Sequence, residues 1–294
     1  MSVDRFPFLA QRLFNSPLAI TEDKAEIVMA GLADRLGITR LFSAGIQVDL
    51  GEARMRAAIG PGGRQDDRDV GYELAMGVAI VPVTGTLVAK LGTMRPYSGM
   101  TGYDGIRHNL LSAVSSAAVR AVMLDIDSPG GEVQGCFDLA DTVYSLRGTK
   151  PIWAVLSEGA YSAAYAIASA ADRITVPRTG GTGSIGVISM HTDLSRSLDK
   201  AGITVTIIRS DDRKMERNPV EPLSDGALSR IQAEVNAIND IFVATVARNR
   251  GMTQASVRAL KGGTAQGARG VELGLADAVM APDQAFRALL ASLG

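Results

Sequence analysis

Short β-branched runs alternate with helical patterns along most of this chain, and that alternation constrains the fold more than any other feature. VAIVPVTGTLVA (78–89), AVMLDID (121–127), IWAVL (152–156), RITVP (173–177), SIGVISM (184–190) and ITVTIIRS (203–210) read as strands, because such side chains suit a pleated, half-buried surface. Between them, EVQGCFDLADTVYSLRG carries Val133, Phe137, Ala140 and Tyr144 on one helical face. EGAYSAAYAIASAAD (158–172) reads as a helix of small residues with Ser162 near its start. DLSRSLDKAG is a short helix stopped by Gly202, and 224–250 is a long one with Leu228, Ile231, Val235, Ile238 and Phe242 inward. Strands alternating with helices predict an α/β fold of βαβ units with largely parallel pairing.

The first 70 residues differ in character. Residues 1 to about 45 look helical, with Thr21 as N-cap and Ile27, Val28, Leu32 and Leu36 recurring until Gly37. The stretch 51–71 contains Gly60-Pro61-Gly62-Gly63 and mixed charges, which reads as a linker. The expected division is therefore an N-terminal helical extension with its linker, 1–70, and a core, 71–294. Arg5, Gln11, Arg12 and Asn15 interrupt the N-terminal apolar residues, so no signal-peptide core is expected there. No stretch offers the ~20 apolar residues of a membrane helix, and a cytoplasmic protein without a membrane anchor is expected. A net charge of −1 argues against a dedicated nucleic-acid binder. The single cysteine, Cys136, excludes an intrachain disulfide and a zinc site built on several thiolates.

Four patches carry candidate chemistry. DSPGGEV (127–133) sits at a strand-to-helix turn. Pro129 fixes one φ, while Gly130 and Gly131 permit close approach, so the backbone N–H groups there could form an oxyanion hole. A plain tight turn explains the same residues. Ser162 could be a nucleophile whose small neighbours admit a substrate backbone, with the Ala163 N–H as a second oxyanion donor; a helix cap or core serine is the structural alternative. TGGTGSIGVI (179–188) lacks the Gly-Lys-Ser/Thr of a phosphate loop, and its Ser184 could bond a catalytic group or be a loop serine. RSDDRKMERNP (209–219) carries Lys214 in what is otherwise an ordinary charged loop. A serine nucleophile needs a base, and His108 and His191 stand in no recognisable triad setting. A desolvated lysine can serve instead, so a Ser-Lys dyad is chemically feasible.

Together the four patches resemble the S49 family of serine peptidases, the signal peptide peptidase A-like enzymes, over about residues 75–281, including GVELGLADAV near the end. TLVAKLGTMRPYSGMTGYDGI and FNSPLAITEDKAEIVMAGLADRLGI further resemble the capsid assembly proteases of lambda-type phages and extend the likeness to nearly the whole chain. The resemblance implies a ClpP/crotonase-like core, assembly into homo-oligomeric rings, and no metal or cofactor. It implies Ser162 as nucleophile, Lys214 as general base and Ser184 as the residue that positions the lysine. Gly131, with Gly130 in the same turn, and the Ala163 N–H would form the oxyanion hole. It also implies capsid scaffold, portal and shell proteins as substrates, and, by likeness to the smaller bacterial members, a dyad shared between neighbouring subunits. Two departures stand out. Many cellular relatives have Ser-Gly-Gly-Tyr where this chain has Ser162-Ala163-Ala164-Tyr165, which keeps the backbone donors but narrows the groove. The chain also ends at Gly294, soon after the core, where lambda-type proteases often continue into a scaffold segment; a stand-alone protease or a shortened one would both end so.

Two other functions compete. A crotonase-type acyl-CoA enzyme would share the backbone oxyanion hole and use a carboxylate such as Glu132 or Glu158, but gives no reason for Ser162, Ser184 and Lys214 to occur together. A catalytically silent assembly module would need no nucleophile at all.

Overall fold

The computed structural model of the chain describes residues 17–21, 24, 41–43, 46–48 and 70–294. In chain order, strand β1 (Leu18–Ile20) is followed by an antiparallel pair, β2 (Leu41–Ser43) and β3 (Ile46–Val48). β4 (Glu73–Ala75) pairs antiparallel with β5 (Val78–Thr84). The run 78–89 is not one strand. Gly85, at φ 68°, breaks it, and β6 (Thr86–Val88) leaves for a second sheet. β7 (Met100–Gly102) lies parallel to β6 and leads into helix α1 (Tyr103–Ser115), which returns the chain to β8 (Ala121–Ser128). β8 runs parallel to β5 from Val78↔Ala121 to Thr84↔Asp127. β9 (Gly130–Glu132) then departs to the second sheet before α2 (Cys136–Ser145).

β10 (Ile152–Tyr161) is the spine of the main sheet. One edge pairs in parallel with β8, with a register shift between Leu156 and Ala160. The other edge is divided between β11 (Arg173–Val176), beside Trp153 to Val155, and β12 (Gly181–Gly183), beside Gly159 to Tyr161. Between β10 and β11 lies α3 (Ala163–Ser169), every residue of which is buried. After β12 come α4 (Ser195–Lys200), α5 (Asp225–Arg250), α6 (Gln254–Ala259), β13 (Thr264–Gln266), α7 (Gly267–Glu272), β14 (Ala278–Val279) and α8 (Pro282–Ala291). The main sheet runs β13-β12-β10-β8-β5-β4, with β14 attached through β11; the second runs β1-β9-β6-β7. The parallel pairs β5/β8, β8/β10 and β10/β11 are joined through helices, so the fold is α/β with the expected βαβ units.

The alternation of strand side chains divides the core into two layers. Leu124, Ile126, Ile152, Ala154 and Leu156 pack with α1, α2, α3 and α5 in the larger cluster. Val78, Ala121, Met123, Trp153 and Val155 face α8, which covers them with Ala285 and Leu289. Alanines let neighbouring elements approach α3 closely, and polar anchors hold it. The Arg147 guanidinium donates to the carbonyls of Ser169, Ala170, Ala171 and Asn249 at 2.8–3.0 Å, satisfying acceptors that the helix end leaves free. The Tyr165 hydroxyl donates to the Leu275 carbonyl at 2.9 Å.

Several expectations are corrected. Residues 158–161 finish β10 rather than begin a helix, because their main chain pairs with β12. In 184–190 only Ile188 makes a strand-like bridge, to Leu18, and the regular strand lies earlier, at β12. Residues 203–210 form no strand: among the described residues they have no ladder partner, and Ile208 is 95% exposed. Leu228 is exposed, although Ile231 and Phe242 are buried. In the region expected to be helical, Leu18–Ile20 is a strand paired with β9. Most of the helix read at 21–37, and the linker residues 51–69, lie outside the described residues.

Candidate active site

Ser162 stands where β10 turns into α3. Its backbone has φ 53° and ψ −121°, a conformation that L-residues other than glycine rarely adopt. Such strain persists only where the surroundings over-determine it, and it clusters at functional positions. Here the Ser162 N–H donates to the Gly183 carbonyl (2.9 Å) and the Ser162 carbonyl accepts from the Ala166 N–H (3.0 Å). The hydroxyl does not cap the helix, whereas Ser224 and Thr253 do cap theirs. Its nearest recorded partner is the Gly186 carbonyl at 3.4 Å, a weak contact. Capping therefore does not explain this serine. A sharp strand-serine-helix turn is a setting that can present a hydroxyl together with the N–H of the next residue, here Ala163.

The glycine turn lies against Ser162. At Gly130 (φ 103°) an added methyl would sit 3.0 Å from the Ser162 Cβ and run into the Ala19 carbonyl oxygen. A methyl on Gly131 would strike the Leu87 carbonyl. The two glycines therefore provide room as well as backbone conformation. The Gly130 N–H donates to the Ser128 hydroxyl oxygen (3.2 Å), and that hydroxyl donates to the Gly85 carbonyl (2.7 Å). The Gly130 N–H is thus engaged within its own turn, while Gly130 and Gly131 both leave room that a side chain would fill. Behind the site, Cys136 lies with its Sγ 3.6 Å from the Ala163 carbonyl. Burial pushes its thiol up to about 12, the Tyr103 hydrogen bond working against that and Asp138 with it.

Ser184 follows Gly183, the residue that receives the Ser162 N–H. It too has φ 53°, and its N–H donates to the Gly263 carbonyl at 2.9 Å. Ser162 and Ser184 thus stand on paired, strained segments at the same end of the sheet. Among the described residues no hydrogen bond ties Lys214 to either serine. The lysine is exposed in the turn after 203–210, and among the described residues its ammonium makes no hydrogen bond or ion pair. The loop itself is well tied. Arg209 pairs with Glu221, Glu216 with Arg230 and Arg217 with Glu234, while the Asn218 side chain bonds the main chain of Met215, Val220 and Glu221.

The carboxylates nominated for acyl-CoA chemistry are placed differently. Glu132 accepts from the Ala89 N–H at 2.7 Å, and Glu158 is exposed. Asp127, at the end of β8, is held above the usual carboxylate range, first by burial and then by Glu158 and Asp125. Sequence reasoning missed the proximity of residues 17–21 to the site. The apolar Leu18-Ala19-Ile20 triplet was the available signal, overshadowed by the helical pattern that follows it. Among the described residues no group of His, Cys, Asp and Glu could hold a metal ion, and no helix is long and apolar enough to cross a membrane.

Comparison with known proteins gives this geometry a context. Residues 145–293 match the description Peptidase family S49. The head-tail preconnector protein GP5 of Enterobacteria phage P21 is 38% identical over 283 residues, 95% of this chain and 56% of that protein. The capsid assembly protease C of Escherichia phage lambda is 35% identical over 273 residues, 92% of this chain and 62% of that protein. The chain thus spans little more than half the length of these relatives. Among solved structures, an enoyl-CoA hydratase from Shewanella pealeana superposes with a TM-score of 0.44 at 10% identity, covering 77% of this chain and 74% of that one. A ClpP1 point mutant from Listeria monocytogenes gives 0.42 at 12%, covering 68% and 90%.

Proposed function

The chain belongs to peptidase family S49, and from that premise we propose that it is a serine endopeptidase with Ser162 as nucleophile and Lys214 as general base. The observation that carries the reading is the strained strand-to-helix turn at Ser162 set against the Gly130-Gly131 turn. In this mechanism neutral Lys214 takes the hydroxyl proton as Oγ attacks a peptide carbonyl. The oxyanion forms against the N–H groups of Gly131 and Ala163, where a single donor is commonly worth about 3 kcal/mol of transition-state stabilisation. The proton passes to the leaving amine, and water then hydrolyses the ester. Ser184 positions the lysine.

The lysine of each site comes from a neighbouring subunit. The exposure of Lys214 on a tied loop supports this, as do the exposed apolar residues Ile203, Val205, Ile208, Leu228 and Ile241 on the segments around it. Docking of a second copy would bury both, completing the site and desolvating the lysine so that it can act as a base. By its similarity to the phage proteins, the enzyme acts in the host cytoplasm or inside the assembling shell, and its substrates are capsid scaffold and portal proteins. A fluorophosphonate probe that labels Ser162, together with mass spectrometry of products from phage capsid scaffold and portal proteins, tests the proposal. Absence of labelling in the assembled protein would favour a silent assembly module instead.

A further inference from the structure

Residues 17–21 lie across the candidate site as an extended strand with both edges bonded. On one edge, β1 pairs antiparallel with β9 in the register Leu18↔Glu132, Ala19↔Gly131, Ile20↔Gly130. On the other, Leu18 and Ile188 exchange both main-chain bonds, at 2.8 and 2.9 Å. Without this segment, the β9 edge and the Ile188 main chain would face each other across an open slot one strand wide. An added strand held by main-chain bonds on both sides is the way an extended peptide is held when it augments a sheet.

The register places one bond at the nucleophile. Bonded pairs in an antiparallel ladder recur at every second residue. The Thr21 N–H donates to the Pro129 carbonyl at 3.0 Å, so Thr21 and Pro129 form a bonded pair. Ala19 and Gly131 are then the next, with the Ala19 carbonyl directed at the Gly131 N–H, the proposed oxyanion donor. The neighbouring contacts agree, since the Ala19 carbonyl oxygen and the Ser162 Cβ both lie against the same face of Gly130. Side chains fit the same direction. Ala19 is 0% exposed within the main core cluster, so a larger side chain there would have to displace packed neighbours. Leu18 and Ile20 point to the opposite face and pack on Met190.

We infer that residues 17–21 are a built-in substrate, and that the enzyme hydrolyses its own Ala19–Ile20 peptide bond. This rests on Ser162 being the peptidase nucleophile. Oγ adds to the Ala19 carbonyl carbon while its proton goes to the lysine. The bond to the Ile20 nitrogen breaks, and that nitrogen takes the proton and leaves as a free amine. Water then cleaves the Ala19 ester, releasing a carboxylate and restoring the hydroxyl. One water is consumed and no other reactant is needed. The reaction waits for the subunit that brings Lys214, and once the amino side of the cut dissociates the slot is open to other chains. The same geometry defines the preferred external substrate as an extended segment with alanine or a similarly small residue before the cut.

The test incubates the full-length protein at assembling concentration and follows intact mass and the newly formed N-terminus. The expected result is loss of residues 1–19 and a new chain beginning at Ile20, absent in Ser162→Ala. Ala19→Trp should block the cut. Because that variant could fold poorly, a synthetic peptide of residues 14–24 is offered in parallel to the wild-type enzyme, with and without the Ala19→Trp change. At least tenfold faster hydrolysis of the alanine peptide, at the same bond, is expected. Ser162-dependent hydrolysis of casein with the Ala19–Ile20 bond left intact in both protein and peptide would overturn this inference and leave the peptidase assignment standing. No Ser162-dependent hydrolysis of any of the three would overturn both.

Discussion

The region around Ser162 and the loop around Lys214 are built on opposite principles. Ser162, Ala163 and Gly131 are buried among strands whose backbone bonds fix them from several sides. Lys214 is exposed, on a loop held by surface ion pairs. Ordering of the first region belongs to folding itself. In the proposed mechanism, placement of the second relative to the first is left to assembly. The contrast teaches that, on the proposed mechanism, the nucleophile can be ready in a single chain while the base is not, which would tie activity to concentration.

The largest expected effect is at Ser162. Ser162→Ala should lower turnover by roughly 10⁴-fold or more, as removal of a nucleophile does in other serine peptidases. Its backbone conformation suits alanine no worse than serine, and the lost hydroxyl has only a 3.4 Å contact. Stability should therefore change by at most about 1 kcal/mol. Thermal unfolding and peptide hydrolysis measured side by side check this, and retained turnover would end the nucleophile assignment.

The comparison can be broken directly by mixing. Ser162→Ala and Lys214→Ala should each be inactive alone. After subunit exchange in equal amounts, about a quarter of the sites in a head-to-tail ring should pair an intact serine with an intact lysine. Activity should return to that order. Exchange confirmed by mass without any activity would place the dyad within one chain. Lys214→Arg should fail in both settings, because a guanidinium does not give up its proton at workable pH.

Gly131 and Gly186 offer a smaller contrast inside the rigid region. A methyl on Gly131 meets the Leu87 carbonyl oxygen, a backbone atom that can move only with its strand, whereas one on Gly186 has nothing nearer than 3.9 Å. Gly131→Ala should cost about 2–3 kcal/mol through overpacking and lower activity by shifting β9. Gly186→Ala should be close to neutral in chemical denaturation. Equal effects would mean that β9 is more yielding than its pairing suggests.

Much of this was legible in the sequence where the signal was local. The strands that open at Val78, Ala121 and Ile152 follow from β-branched runs, although their ends do not: 86–89 reads as part of the first and 158–161 as helix; the long helix expected over 224–250 is α5. The Gly130-Gly131 turn and Ser162 stand out in the sequence by themselves. Pairing between distant segments was not legible. Among the described residues, 203–210 have a strand's composition but no ladder partner, and 184–190 pairs only through Leu18. Leu18–Ile20 is a strand because β9 and Ile188 offer free edges, which three residues beside a strong helical pattern do not advertise. Nothing in the sequence of the Lys214 loop shows which chain's serine the proposed base would serve.

The smallest expected effect separates the same two regions by their ion pairs. Arg250, at the end of α5, holds Asp277 with two bonds of 2.7 and 3.2 Å, and the Asp277 carboxylate also accepts from the Ile174 N–H at 2.6 Å. Burial by itself would raise the Asp277 pKa, but the Arg250 bonds and the backbone donor outweigh it and hold the carboxyl below its ordinary value. A carboxyl depressed on folding stabilises the native state above its unfolded pKa of ~3.9, and that stability is lost as pH falls through the lower folded value. Asp277→Asn should therefore cost about 1–2 kcal/mol at pH 7, after discounting for partial exposure. The difference from wild type should shrink as pH drops below ~4. Arg217 of the Lys214 loop pairs with Glu234 of α5, whose side chain remains 43% exposed. Glu234→Gln should shift the urea midpoint hardly at all, since water and salt screen such a pair. Urea midpoints at pH 7 and pH 3 for both variants decide the matter. A larger loss from Glu234→Gln than from Asp277→Asn would mean that the Lys214 loop is already locked within one chain, and the proposed dependence of its placement on a second subunit would fail with it.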